Sequence, residues 1–430
     1  MGMNTNKVRN ADEEDVMRLT AEEQGWLAGE AGPALRRAME IVTALGTIYG
    51  ARRLIPVESV QISGVSYRNI GDAGLDFLCR WADEGARVRV PTTLNPTAMD
   101  MVSWQTQGLD PDFAAKQRQV VAAFARMGVG KGVPLPTCTP YLIGNRPLPG
   151  AHIAWAESSA VAFANSVLGA RTNREGGPGA IAAALTGRTG AYGLHLEEHR
   201  RATLRVKVDA VLDTISDYSA LGALIGRTAQ KAVPLFVNLP LEADDPLYEE
   251  KLKALGAAMA ATGAVALYHV ASLTPEATSS DLLTADCACW CIDDLTEGYA
   301  MLSDDIERID LVWIGCPHAS LVELAQLTER VAGRRLQVPM WITCARPIRD
   351  LAVDSGLVGK IEAAGGQVFA DACMAIAPVR NLGFQAVATP SAKGAYYLRN
   401  LANVAARFGT LDQCLAAAET GHWPSMGRDA

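Results

Sequence analysis

The chain has 430 residues, a net charge of -8, 49% hydrophobic and 20% charged residues. That is too long for one simple core and ordinary for a folded protein of two or three domains. Acidic and basic residues are well mixed, which argues against a nucleic-acid-binding surface spread over the whole molecule but leaves room for a local basic pocket.

Residues 1–15 are polar and expected to be loose, and residues 16–425 are expected to form the folded catalytic region. Thr20-Ala-Glu-Glu23 has the spacing of a capping box that opens a helix. The segment "GPALRRAMEIVTALGTIYGA" follows, with Leu35, Met39, Val42 and Leu45 on one helical face. Short apolar runs of β type then alternate with amphipathic stretches that often end in glycine. "ESVQISG", "ARVRVPTTLNP", "VPLFVNLP", "AVALYHV", "IDLVWIGCPH", "VPMWITCARP" and "GQVFADAC" are the expected strands. "DAGLDFLCRWADEG" and "SLVELAQLTERVAG" are expected helices. This alternation implies α/β layers with mostly parallel sheets. No tandem repeat or low-complexity linker marks the internal boundaries. The N-terminus has no apolar signal core, no apolar run reaches the ~18 residues of a membrane helix, and the nine cysteines have no framework spacing. A cytoplasmic protein with reduced thiols is expected.

Several strands end in a polar or thiol residue beside proline, just before a helix. Thr92-Thr93-Leu94-Asn95-Pro96, Gly315-Cys316-Pro317-His318 and Thr343-Cys344-Ala345-Arg346-Pro347 are examples. Ligands bind at the carboxyl ends of strands in open α/β sheets. Ser320-Leu-Val-Glu323 caps the next helix, which sets Cys316 and His318 beside a positive helix end.

Other motifs tempt more than they convince. "DCACWCID" puts Cys287, Cys289 and Cys291 in a row on one strand face. A single metal needs sulfurs that converge on one point, so structural thiols are the expected reading. His195-Leu-Glu-Glu198-His199 fits H-x-x-E-H, but it follows a Gly-rich stretch that does not begin a strong helix. "GVGKGV" fits no phosphate loop and reads as a turn. Arg171 and Arg174 flank Thr172 and Asn173 before a Gly-Gly-Pro-Gly turn and an Ala-rich helix, a pattern suited to a carboxylate or phosphate. Ser391 is a candidate N-cap, and Lys393 in that first turn opposes the helix dipole unless it faces an anion.

Together "ISGVSYRNIGDAGLDFL", "PTTLNPTAMD", "PTCTPYL", "AESSAVAFANSVLGARTNREGGPGAIAAALTGRTGAYGLHL", "ALYHVASLTPEA", "IGCPHASLVEL", "ADACMAIAP" and "PSAKGAYYL" resemble one family. The likeness is to the catalytic large subunit of aconitase X, of the type whose small domain is a separate chain, and runs from about Leu19 to about Trp423. It implies three α/β lobes around a central metal site. It also implies an iron-sulfur hydro-lyase whose cluster sits on three cysteines with one iron open to substrate. By the resemblance, Cys138, Cys316 and Cys373 are the metal ligands, with Cys344 the competitor. The chain has no C-x-x-C of the ordinary aconitase kind, so the cluster's nuclearity stays open.

Dehydration of a hydroxy acid needs a base for the Cα proton and a Lewis acid for the departing oxygen. His318, Glu157 and Lys393 are the expected catalytic groups. Ser66, Tyr67, Asn69, Thr93, Asn95, Ser158, Arg171, Thr172, Asn173 and Ser391 are the expected substrate-binding residues. In the superfamily the base is a serine on the small domain, so a small-subunit partner is expected and the isolated chain should be nearly inactive. The resemblance makes dehydration of cis-3-hydroxy-L-proline to 1-pyrroline-2-carboxylate the first expectation for the substrate, and 5-phosphomevalonate the second. A non-enzymatic iron sensor and a zinc hydrolase are the remote alternatives.

Overall fold

The computed structural model describes residues 17–230, 232–278 and 282–424. The loose segment expected over residues 1–15 lies outside them.

The first lobe opens as the sequence implies. Thr20 and Glu23 cap α1 (Ala21–Ala28) reciprocally, and Pro33 starts α2 (Pro33–Ile48), which buries Leu35, Met39 and Val42. Strands β1 (Leu54–Pro56), β2 (Val60–Ile62), β3 (Thr92–Leu94), β4 (Ala154–Trp155) and β5 (Arg188–Gly190) are all short. β2 lies between β3 and β4 in a parallel sheet, and β1 pairs antiparallel with β5. Helices α3 (Tyr67–Asp83), α4 (Pro111–Arg126), α5 (Ser158–Ser166) and α6 (Gly177–Thr186) complete the lobe. α2, α3, α4 and α6 share one apolar core that includes Met39, Trp81 and Phe124.

The second lobe carries the parallel strands β6 (Ala202–Val208), β7 (Pro234–Val237), β8 (His269–Val270) and β9 (Leu283–Ile292), in the order β8-β7-β6-β9. The inward residues of β6 pack on α7 (Ile215–Ala229) and α8 (Tyr248–Gly263), and α9 (Thr296–Ala300) follows β9. The cysteine row is therefore a strand, as its alternation implies, and it forms the sheet edge. β6 is absent from the expected strands because its sequence, "ATLRVKV", alternates exposed and buried residues instead of running apolar.

The third lobe is one five-stranded parallel sheet: β10 (Leu311–Ala319), β11 (Met340–Cys344), β12 (Gly366–Ala370), β13 (Ala386–Thr389) and β14 (Ala405–Phe408). Helices α10 (Leu321–Val331), α11 (Arg346–Asp354), α12 (Leu357–Ala364), α13 (Ala392–Tyr397) and α14 (Leu411–Thr420) cover it. The spatial order is β12-β11-β10-β13-β14. The winding reverses between β10 and β13, which makes that crevice, at the carboxyl ends of the strands, the ligand-binding position of a doubly wound sheet. Cys316 lies near the carboxyl end of β10, where its pairing with β11 slips register, and Ser391 follows β13. Mixed α/β layers with mostly parallel sheets are thus the observed fold. Among the described residues no helix is long and apolar enough to cross a membrane.

Candidate active site

Two loops and a helix start bring the expected residues to that crevice. Ser391 caps α13: its hydroxyl accepts from the Gly394 N–H at 3.0 Å and donates to the Cys316 carbonyl. This capping fixes the first turn of α13, and Lys393 in that turn runs inward and is buried. Its ammonium meets the Glu157 carboxylate, which arrives from the N-cap of α5 in the first lobe, and the Ser159 hydroxyl at 2.8 Å. Asn95 Nδ2 donates to the other Glu157 oxygen at 2.8 Å. Gln61, fully buried in β2, accepts from the Glu157 N–H and donates to the Thr137 carbonyl at 2.9 Å. The neighbouring residue of this Thr137 segment is Cys138.

The electrostatics of the pair follow from these contacts. Burial pushes the Glu157 carboxyl up, but Lys393, the Asn95 amide and Arg174 together outweigh it and hold the carboxyl at about 2. Burial pulls Lys393 down, and Glu157 with the Cys316 and Cys138 sulfurs drives it above its ordinary value. The pair is ionised at neutral pH. Glu157 is therefore a poor proton donor and, at that value, a weak base, so the role of an anionic hydrogen-bond acceptor suits it best.

Cys138, Cys316 and Cys373 all lie near enough to feel this pair. Burial raises all three thiols, Cys138 to about 12, and Lys393 opposes the rise in each. Cys316 also feels both other sulfurs. Backbone N–H groups already point at two of them: His318 N–H donates to Cys138 Sγ at 3.2 Å, and Ala375 and Ile376 N–H groups face Cys373. Such donors support thiolates bound to iron. Among the described residues no three His, Cys, Asp or Glu side chains converge closely enough for a single ion. Free thiols from three separate segments, with amide donors and a buried cation beside them, offer the thiolate donors an iron-sulfur cluster would need. Cys344 is buried in the third-lobe core instead, with Arg349, Asp371 and Arg346 as its charged neighbours. The β9 cysteines lie at the edge of the second-lobe sheet.

His318 has both ring nitrogens occupied. Nε2 lies 2.8 Å from the Ala372 carbonyl and Nδ1 lies 3.0 Å from Thr137 Oγ1. A carbonyl only accepts, so the proton resides on Nε2 and the threonine hydroxyl donates to Nδ1. Burial lowers the imidazole to about 4. These contacts make His318 a neutral brace between the segments of Cys138 and Cys373, and leave no ring nitrogen for proton transfer. An NMR titration is expected to show His318 unprotonated from pH 8 down to pH 5. Because its folded value lies below the ordinary 6.5, its contribution to stability falls away as pH drops from about 6.5 towards 4.

The remaining expected residues divide into two groups. Ser66 Oγ and Asn95 Oδ1 are buried without a hydrogen-bond partner, and Ser158 Oγ donates to Glu157 at 3.3 Å. Thr93, on β3 beside Gln61, accepts from Asn145 at 3.4 Å. Others are engaged locally. Tyr67 OH donates to Asp72, and Asn69 is exposed. Thr172 and Asn173 fasten their own loop through Trp155, Asn165, Tyr192 and Leu194. Arg171 is paired with Glu197 and donates to the His195 carbonyl, whereas Arg174 is near enough to act on Glu157. His195-Leu-Glu-Glu-His199 forms two short 3-10 turns, without the helix a zinc hydrolase needs. Gln61, Thr137 and Ser159 were not among the expected residues. A glutamine inside the buried "VQI" strand is the signal that points to them.

The sequence matches the descriptions Aconitase X first domain over residues 16–198, Aconitase X second domain over 202–290 and Aconitase X third domain over 309–420. It is 44% identical to the phosphomevalonate dehydratase large subunit of Methanocaldococcus jannaschii, over 93% of this chain and 99% of that protein. It is 37% identical to the cis-3-hydroxy-L-proline dehydratase of Pseudomonas aeruginosa, over 95% of this chain and 71% of that one. The crystal structure of Thermococcus kodakaraensis aconitase X in its holo form superposes with a TM-score of 0.85 at 44% identity, covering 94% of this chain and all of that one. Three successive domain matches, relatives of this similarity and the shared fold together show that the chain belongs to the aconitase X family of dehydratases.

Proposed function

We propose that this chain is the cluster-bearing large subunit of a hydro-lyase that dehydrates 5-phosphomevalonate. The observation that carries the reaction class is that Cys138, Cys316 and Cys373, from three separate segments, all lie near the ionised Glu157–Lys393 pair. The substrate reading is supported by the 44% identity to a phosphomevalonate dehydratase large subunit along 99% of its length. Phosphomevalonate thereby moves ahead of cis-3-hydroxy-L-proline, the first expectation from sequence. The latter stays as the second reading, because relatives of that name match at 37% and 34%.

Cys138, Cys316 and Cys373 would hold an iron-sulfur cluster, which would supply a Lewis acid for the departing hydroxyl. The protein groups do the rest. Lys393 and Arg174 offer positive charge to the substrate carboxylate. Glu157, kept ionised, accepts a hydrogen bond from a substrate hydroxyl. Ser66 Oγ and Asn95 Oδ1 are the unpartnered polar atoms that substrate can satisfy. The base that takes the proton beside the carboxylate comes from a small-subunit partner, in keeping with relatives named large subunits.

The test is an anaerobic assay of the chain, alone and with its small subunit, on 5-phosphomevalonate and cis-3-hydroxy-L-proline side by side. Turnover of phosphomevalonate by the pair, and almost none by the chain alone, is expected. Turnover of hydroxyproline only would transfer the function to the second reading, and robust activity of the isolated chain would refute the partner's role.

A further inference from the structure

Arg346 opens α11, where the helix dipole disfavours a cation, as Lys393 does in α13. It is held there by two carboxylates. Its guanidinium lies 2.6 Å from Asp100 Oδ1 and contacts Asp371 Oδ2 through both Nε, at 3.2 Å, and Nη2. Both carboxylates are almost wholly buried. Asp100 belongs to the first lobe, and Asp371 lies two residues before Cys373. Asp100 Oδ2 also accepts the Ala370 N–H at 2.7 Å. Thr97, on the same loop as Asn95 and Asp100, takes the rest of the segment: its N–H donates to the Asp371 carbonyl at 2.8 Å, and its carbonyl accepts the Cys373 N–H at 2.9 Å. Asp371 has a φ of 63°, a backbone region that a non-glycine residue occupies only when its surroundings impose it.

We propose that Arg346, acting through Asp100 and Asp371, is a positioning residue that sets Cys373 against Cys138 and Cys316. The inference rests on the reading of Cys373 as a cluster ligand. One loop, Asn95 to Asp100, thus touches both halves of the site: Asn95 holds Glu157, and Thr97 and Asp100 hold the Cys373 segment.

The test uses the full chain with Arg346→Lys, and Asp100→Asn as a second variant should the first not fold. In the metal-free chain, alkylation of each thiol is followed by mass spectrometry, with the core residue Cys414 as internal reference. Labelling of Cys373 is expected to rise about tenfold or more while Cys414 stays unchanged. After reconstitution with iron and sulfide, loss of iron to a chelator is expected to quicken by a similar factor, as for other supports of metal ligands. An equal rise at Cys414 marks general loosening and overturns the proposal, as does unchanged labelling of Cys373. Cys373→Ser separates the inference from its premise: a full iron complement in that variant would remove the ligand reading itself, whatever the alkylation shows.

Discussion

Replacing Lys393 with methionine is expected to destabilise the chain by about 3–5 kcal/mol at pH 8 and to abolish turnover. The cost arises from the partner left behind, because Glu157 keeps its burial and loses its cation. The sign of the pH dependence is diagnostic. In the wild type the Glu157 carboxyl, held at about 2, lies below its ordinary 4.5, so its stabilising effect is complete above about pH 5 and is lost as pH falls towards 2. Without Lys393, burial is opposed only by the Asn95 amide and Arg174 and raises the carboxyl, so the variant is favoured at low pH and loses stability as pH rises. The gap between wild type and variant in denaturant unfolding is therefore expected to widen from pH 5 to pH 8. Adding Glu157→Gln is expected to recover much of the lost stability without activity, which a pair of independent surface charges would not do.

Serine in place of Cys138, Cys316 or Cys373 is expected to lower bound iron and sulfide at least about tenfold in anaerobically purified protein. Serine at Cys287, Cys289 or Cys291 is expected to leave both unchanged. The two sets differ in what surrounds the sulfur. The first set lies beside Lys393, and two of its members have amide donors aimed at them. Cys289 and Cys291 lie exposed on an edge strand, where Cys291 donates to the Asp209 carboxylate at 3.2 Å. A carboxylate acceptor holds a thiol protonated, the opposite of what a metal ligand needs. Retention of a full cluster by the Cys316 variant would contradict this assignment.

Local chemistry was readable from the chain. The capping residues Thr20, Ser320 and Ser391 cap the helices expected of them, since each acts on an N–H only three residues away. The Pro motifs after Thr92 and Thr343 do end β3 and β11, whereas Gly315 to His318 lies within β10, where the pairing with β11 slips its register. Contacts between distant segments were not readable. Lys393 and Glu157 are 236 positions apart, and the sequence shows only an awkward lysine at a helix start. Arg171 and Arg174 look equivalent in "ARTNRE", yet Glu197 engages the first and leaves the second near Glu157. His318 reads as a proton carrier until Thr137 and Ala372 are seen to take both nitrogens.

The most direct measurement is iron anomalous scattering from crystals of the anaerobically prepared chain. Iron is expected at bonding distance from the sulfurs of Cys138, Cys316 and Cys373, in the crevice between β10 and β13 and facing Lys393. Iron bound instead at Cys344 or on the β9 cysteine row, with that crevice empty of metal, would contradict the assignment of the active site.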